Sequence, residues 1–143
     1  MNQKHVPSME LCQQFVDLCS KNNITLPETE FYWVGNELLS SSNEDDALKL
    51  SYVEGLDNVK SKPIPSPLVS ELGEFLPDEL ADEHQDLPYF LTAEKRADPD
   101  YWIVYYGGAR GELSGTQFEG NTEANARQKS INYLIAEGII TNL

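Results

Sequence analysis

The chain has 143 residues, 40% of them hydrophobic and 10% aromatic, a composition that can build a core and differs from that of a disordered chain. It carries 24 acidic and 10 basic residues, giving a formal net charge of −14 at pH 7. Such a chain repels phosphate groups, so direct binding to DNA, RNA or an anionic membrane is disfavoured. A basic protein partner, or mimicry of nucleic-acid charge, stays open.

Length and hydropathy set further limits. The length fits one domain, residues 1–143. No stretch approaches the roughly 18 consecutive apolar residues of a membrane-spanning helix. The first 15 residues contain one lysine and no long apolar run, unlike a secretory signal. We therefore expect a cytoplasmic protein.

The first predicted element is a helix over residues 6–23, "VPSMELCQQFVDLCSKNN". Ser8 suits its N-cap, and Asn22 and Asn23 can take the left-handed conformation that ends a helix. The two cysteines of the chain, Cys12 and Cys19, would share a helix face about 10 Å apart along the axis, too far for a disulfide. We expect both to be buried free thiols in a reducing compartment.

Two strands are predicted next. Residues 29–39, "TEFYWVGNELL", are rich in aromatic and β-branched side chains. In residues 47–55, "ALKLSYVEG", Leu48, Leu50 and Tyr52 stand at every second position, with the polar Lys49 and Ser51 between them. This is the period of a half-exposed strand. Because the polar stretch "SSSNEDD" lies between them, the sequence predicts a hairpin with a long loop.

A proline-rich segment, residues 56–67, is predicted to be an extended connector. A short helix follows, with Ser66 as the predicted N-cap and Pro77 at its end. The acidic stretch at residues 78–86, "DELADEHQD", is predicted to be an exposed loop.

Three strands are predicted over residues 88–95, 101–108 and 112–120, joined by the turns "RADPD" and "GGARG". The middle strand is apolar from Tyr101 to Tyr106, as expected for the centre of a sheet. The fold class is therefore α+β: an antiparallel sheet of about five strands, ending in a three-stranded meander, with an N-terminal, a short middle and a C-terminal helix.

The C-terminal helix has the clearest boundaries. Asn121 or Thr122 is its predicted N-cap, and Gly138 is its predicted left-handed C-terminal residue. The face toward the sheet and the exposed face are each predicted from the spacing of the side chains. The sheet-facing residues are Ala124, Ile131, Leu134 and Ile135, and the exposed ones are Arg127, Gln128 and Lys129.

No residue pattern predicts a catalytic, cofactor-binding or metal site. His84 lies among Asp82, Glu83 and Asp86, but the set has no second histidine and no helical spacing, so a solvated loop is preferred to a metal centre. The glycine-rich segment at residues 107–115 lacks the lysine-serine ending of a phosphate loop and lies between two strands. Since no nucleophile motif is present either, we do not expect an enzyme.

The aromatic residues of the middle strand allow two interpretations. They are Tyr101, Trp102, Tyr105 and Tyr106. Exposed aromatics on a sheet can stack on nucleic-acid bases, but that use requires more cations than Lys95, Arg96 and Arg110 provide. Burial in the core is the preferred interpretation. Exposed members would instead favour a protein-binding patch.

Several segments of the sequence resemble one family of small proteins from prophages and mobile elements of gut bacteria. The segments are "VPSMELCQQF", "TEFYW", "SELGEFLPDEL", "PYFLT", "DYWIVYY" and "FEGNTEANARQKSINYLIAEGII". No activity is assigned to that family, so the resemblance transfers no catalytic residues. It implies a bacterial, intracellular, phage-related protein.

The last 55 residues resemble a second group. Three strands followed by a helix that begins "GNTEANA" are similar to the partial double-stranded-RNA-binding fold of HicB-type antitoxins. The chain departs from that group because it lacks a basic DNA-binding tail and has an additional N-terminal half. Lysines at the start of the last helix, which RNA binding would need, are replaced by Thr122, Glu123 and Asn125. The resemblance thus implies a related fold without the RNA function.

Three functional hypotheses follow. The first is a small acidic protein-interaction module, such as a phage accessory factor or inhibitor. The second is an antitoxin-like or regulatory partner of a basic protein. The third is an enzyme of unrecognised type.

Overall fold

The computed structural model describes residues 3–55, 62–81, 88–97, 100–108, 111–113 and 115–143. Within these residues the chain forms four α-helices and eight strands, preceded by a 3₁₀ turn at Gln3–His5. The helices are α1 (Met9–Lys21), α2 (Glu44–Glu54), α3 (Val69–Phe75) and α4 (Glu123–Ala136). The strands are β1 (Phe31–Val34), β2 (Glu37–Ser40), β3 (Ile64–Ser66), β4 (Glu79–Leu80), β5 (Tyr89–Ala97), β6 (Asp100–Gly108), β7 (Gly111–Glu112) and β8 (Phe118–Gly120).

The α+β class is confirmed, but the strands form two antiparallel sheets. The small sheet has the order β2-β1-β3. The large sheet has the order β4-β5-β6-β7, and β8 pairs with β6 next to β7. Strand β6 is therefore the central strand, as its apolar sequence predicts.

Helices cover both faces of the small sheet. On one face, Trp33 packs in a buried cluster with Val6 and with Cys12 of α1. Side-chain alternation places Glu37 and Leu39 on the opposite face. There the carboxylate of Glu37 accepts a hydrogen bond from the Lys49 ammonium of α2 at 3.2 Å. Because α1 and α2 lie on opposite sides, α2 forms one outer layer of the molecule.

The main core lies between α1, α3, α4 and the inner face of the large sheet. Its members are fully or largely buried apolar side chains. They include Phe15, Cys19, Leu72, Leu76, Tyr89, Val104, Tyr106, Ile131, Leu134 and Ile135. The predicted apolar stripe of the C-terminal helix thus packs as expected. From one side of the molecule to the other, the layers are α2, the small sheet, α1, the pair of α3 and α4, and the large sheet.

Helix α4 has the predicted boundaries. The Thr122 hydroxyl accepts a hydrogen bond from the Asn125 amide at 3.1 Å, so Thr122 is the N-cap. Gly138 has a φ of +75° just after the helix, and the Ile139 amide returns to the Leu134 carbonyl at 2.9 Å. That pattern is the left-handed helix stop expected from the sequence.

The predicted exposed side of α4 is wrong at one position. Lys129 is exposed, but Gln128 is fully buried and Arg127 is half-buried. The reason is that α1 packs on the side of α4 that faces away from the sheet. Gln128 Nε2 donates to Asn132 Oδ1 at 2.9 Å, and Asn132 Nδ2 donates to the Leu11 carbonyl at 3.2 Å.

The predicted strand over residues 47–55 is also wrong, because this segment lies in α2. The Asn43 side chain accepts a hydrogen bond from the Asp46 amide at 3.1 Å and so caps the helix. The three acidic residues of its first turn, 44–46, complement the positive helix end. These local interactions prevail over the alternation of leucine and tyrosine. The hairpin instead forms within residues 31–40, where Gly35 turns the chain at a φ of +60°.

Smaller differences concern the middle of the chain. Ser66 ends β3 and is buried, and the N-cap of α3 is Leu68, whose amide donates to the Glu71 carboxylate at 2.7 Å. The predicted last strand, residues 112–120, is split into β7 and β8, and Gly115 between them has a φ of +83°. Residues 56–61 of the predicted connector and residues 82–86 of the predicted acidic loop lie outside the described residues. The rest of both predictions is partly wrong, because the described parts contain β3, which pairs with β1, and β4, which pairs with β5 and buries Leu80.

Candidate functional site

Helix α2 has apolar side chains on two opposite faces. Leu50 is its one buried residue, 7% exposed. Leu48 and Tyr52 are each 71% exposed. Since each helical residue turns the chain by about 100°, Leu48 and Tyr52 lie about 160–200° from Leu50. The small sheet can cover only the Leu50 side, so an exposed apolar pair is left on the outer face of the molecule.

Carboxylates lie at both ends of α2. Glu44 and Asp45 lie in the first turn of α2, and Glu54 ends it. All three are exposed and form no ion pair within the part of the chain that the structure describes. The Lys49 ammonium is paired with Glu37 at 3.2 Å, so its charge is locally balanced. Glu54 lies about 40° from Leu50 around the helix, on the side of the small sheet. We call the surface formed by Glu44, Asp45, Leu48 and Tyr52 the α2 outer face.

The outer face of the large sheet forms the opposite end of the molecule. Alternation along β5 and β6 places Phe90, Tyr101, Ile103 and Tyr105 on it. Phe90 is 53% exposed, both tyrosines are half-buried and Ile103 is buried. The predicted burial of the β6 aromatics is thus correct for Tyr106, which is fully buried, and only partly correct for the others.

Among the described residues, cations on this sheet face are few, and Arg110 lies outside those residues. Arg96 donates to the Glu94 carboxylate at 3.3 Å, and the Tyr105 hydroxyl donates to the other oxygen of Glu94 at 2.9 Å. Lys95 belongs by alternation to the helix-covered face. A surface that stacks nucleic-acid bases needs cations beside its aromatics, so this face is a poor match for that use.

A cavity of about 410 Å³ lies where α1 and α4 begin. Trp33, Met9 and several amide side chains line it. The Asn125 side-chain oxygen accepts a hydrogen bond from the Ser8 amide at 2.8 Å. Glu10 and Glu123 lie in the first turns of the two helices and already supply negative charge to their positive ends. The cavity is therefore not arranged to attract an anion.

The two cysteines are free and buried, as predicted, but they enter different cores. Cys12 packs with Trp33 and Val6, whereas Cys19 packs with the main core. Burial raises the pKa of Cys12 to about 11, and it also raises the pKa of Cys19 to about 11. Both thiols are thus protonated at neutral pH, and a protonated thiol is a poor nucleophile.

Other chemistry considered from the sequence has little structural basis here. His84 and its acidic neighbours lie outside the described residues. Within the described residues, no group of three or more histidine, cysteine or acidic side chains is placed to hold a metal ion. Across those same stretches, no helix has the length and apolar character needed to span a bilayer.

Comparisons with known proteins give no match. No protein-family model, no curated protein and no solved structure is significantly similar to the chain. The resemblances to prophage proteins and to HicB-type antitoxins therefore stay predictions from the sequence. The sequence pattern does not predict the α2 outer face, because the alternation of its apolar residues favours a strand, although Asn43 followed by three acidic residues is a signal for a helix start.

Proposed function

We propose that the protein is a small acidic protein-interaction module and that the α2 outer face captures a partner of opposite charge. One observation carries the proposal: Leu48 and Tyr52, each 71% exposed, lie side by side on α2, next to two first-turn carboxylates that form no ion pair with any described residue. Exposed apolar residues rimmed by charge are a common form of protein-binding surface.

The energetics favour this use. Full burial of a leucine side chain is worth about 1.5–3 kcal/mol, and tyrosine is frequent among the residues that dominate binding energy. The net charge of −14 would accelerate encounters with a basic partner and oppose acidic ones. The apolar pair thus supplies affinity, and the charge supplies selectivity and a dependence on ionic strength.

A pull-down from a lysate of the cells that encode the protein tests the proposal. Tagged wild-type protein is compared with the double variant Leu48→Gln, Tyr52→Gln at low and at high salt. We expect a stoichiometric basic protein that is retained by the wild type at low salt, reduced at high salt and lost with the double variant. Phe90→Gln, which alters an exposed apolar residue on the opposite end, serves as the matched control and should retain the partner.

A second candidate function is an antitoxin-like partner of a basic protein. It is favoured by the order β5, β6, β8 and α4, in which an antiparallel sheet is followed by a helix on one of its faces. A small basic protein encoded by the neighbouring gene and captured in the same pull-down would support this candidate over a phage accessory factor or inhibitor. A phage or prophage origin remains part of the proposal.

An enzyme of unrecognised type is the third candidate. Glu10 lines the 410 Å³ cavity at the start of α1 and is the carboxylate to alter first. Turnover in a hydrolase screen that Glu10→Gln abolishes, with folding intact, would place this candidate ahead of the other two.

A further inference from the structure

We infer that the segment of the partner that occupies the α2 outer face is an amphipathic α-helix with lysine or arginine at the end of its apolar stripe that meets Glu44 and Asp45. The inference rests on the proposed function, because it assumes that this face binds a protein. It adds the conformation and the charge pattern of the bound segment.

The apolar pair has the geometry of a helix-packing ridge. Leu48 and Tyr52 are four residues apart, so they lie on the same side of α2 about 6 Å apart along its axis. Glu44 lies one turn earlier in the same row. Rows of side chains four residues apart are the ridges that pack into the grooves of another helix. A partner helix with apolar residues three or four positions apart can therefore enclose both side chains.

The charges indicate the charge pattern of the bound segment. Glu44 and Asp45 lie at the N-terminal end of the face, and both are exposed. Glu54, at the other end of α2, lies on the side of the small sheet. A helix that runs along α2 would thus need basic side chains at the end of its apolar stripe that meets Glu44 and Asp45.

An extended segment fits this face less well. Extended peptides gain affinity by pairing with the free edge of a sheet. The backbone groups of α2 are already bonded within the helix, and its side toward the small sheet is occupied by Leu50 and by Lys49. An extended chain on the outer face would leave its own amide and carbonyl groups without protein partners.

A second copy of the chain is also disfavoured as the occupant. Each copy carries a formal net charge of −14, and like net charges oppose association. A basic segment instead neutralises Glu44 and Asp45, which is why we assign the face to a different chain.

A random 16-residue peptide library displayed on phage provides the test. Selection uses the full-length protein, with counter-selection against the folded double variant Leu48→Gln, Tyr52→Gln. We expect the enriched peptides to carry apolar residues at three- and four-residue spacing and basic residues clustered at one end of that stripe. A synthetic copy should gain helical circular dichroism on binding and should lose at least tenfold in affinity with the double variant.

Two controls separate specific docking from attraction by charge. A scrambled peptide of the same composition should bind at least tenfold more weakly, and Phe90→Gln should bind the selected peptide as the wild type does. Glu44→Gln with Asp45→Asn, which leaves the apolar pair intact, should also weaken binding and reduce its dependence on salt.

The outcomes distinguish this inference from the proposed function. Enriched peptides that depend on Leu48 and Tyr52 but bind in an extended form, or that lack the basic residues, would overturn the helix inference and leave the proposed function standing. If no peptide discriminates between the wild type and the double variant, and the lysate pull-down also fails to discriminate, both are wrong.

Discussion

The indole nitrogen of Trp33 donates a hydrogen bond to the main-chain oxygen of Pro7 at 3.1 Å. This bond joins the hairpin of the small sheet to the segment just before α1, and both residues are buried. Trp33→Phe would remove the donor and part of the side-chain volume. We expect the free energy of unfolding to fall by about 1–3 kcal/mol, measured by urea denaturation. Tyr52→Phe, on the exposed face of α2, should change it by less than about 0.5 kcal/mol.

Gly120 lies where β8 turns into α4 and has no room for a side chain. A Cβ atom there would lie 2.6 Å from the Ala126 amide nitrogen and 2.9 Å from the Thr122 carbonyl oxygen. Both are backbone atoms that cannot easily move, so we expect Gly120→Ala to destabilise the protein by about 1–3 kcal/mol.

Gly73 in α3 is the matched control for this glycine. A Cβ atom at that position would meet the end of the Arg127 side chain at 3.5 Å, an ordinary contact. Gly73→Ala should therefore be neutral or should stabilise by up to about 1 kcal/mol, because alanine favours the helix. Equal thermal shifts for the two alanine variants would contradict the close approach at Gly120.

Leu134 tests the packing of α4 against the large sheet. Its side chain is fully buried in the main core. Leu134→Ala should cost about 2–5 kcal/mol, and Leu134→Asp should abolish cooperative unfolding, because it buries an unpaired charge. Ile139→Asp, at a 47% exposed position after the same helix, is expected to keep a cooperative thermal transition. An unchanged melting temperature for Leu134→Asp would mean that α4 does not cover the sheet.

The buried thiols predict a dependence on pH. Burial raises the pKa of Cys12 from its ordinary 9.0 to about 11, so folding favours the protonated thiol. The resulting contribution to stability is complete below about pH 9 and is lost as the pH rises toward 11. The difference in unfolding free energy between the wild type and Cys12→Ala should therefore shrink between pH 8 and pH 11.

Thiol labelling gives a direct check of the same burial. Native protein at pH 8 should react with a thiol reagent at neither cysteine, and both should react after denaturation. Rapid labelling of Cys12 or Cys19 in the folded protein would contradict their placement in the two cores.

The sequence predicted the elements whose signals are local and consistent. The first helix has a serine N-cap, and the last has a threonine N-cap and a glycine stop, so both were placed within a few residues. The α2 segment was misassigned because the alternation of Leu48, Leu50 and Tyr52 resembles a strand. Its helix-start signal, Asn43 with three acidic residues, was present but was interpreted as a turn.

Long-range packing could not be predicted in the same way. Gln128 is a polar residue in the middle of α4, and only the position of α1 explains why it is buried. The division of the strands into two sheets likewise depends on which strands meet. Strand β1 pairs with β3, although all of α2 lies between them in the sequence. The α2 outer face follows from this arrangement, since the sheet that covers Leu50 determines which side of the helix stays exposed.

Site-specific photo-crosslinking tests the central claim most directly. A photoreactive phenylalanine analogue is placed at position 52 on the α2 outer face, or at position 90 on the opposite end, in the full-length protein within the cells that encode it. The account predicts one basic protein crosslinked from position 52 and not from position 90. Crosslinking of the same partner from position 90 alone, or no protein crosslinked from position 52, would contradict it.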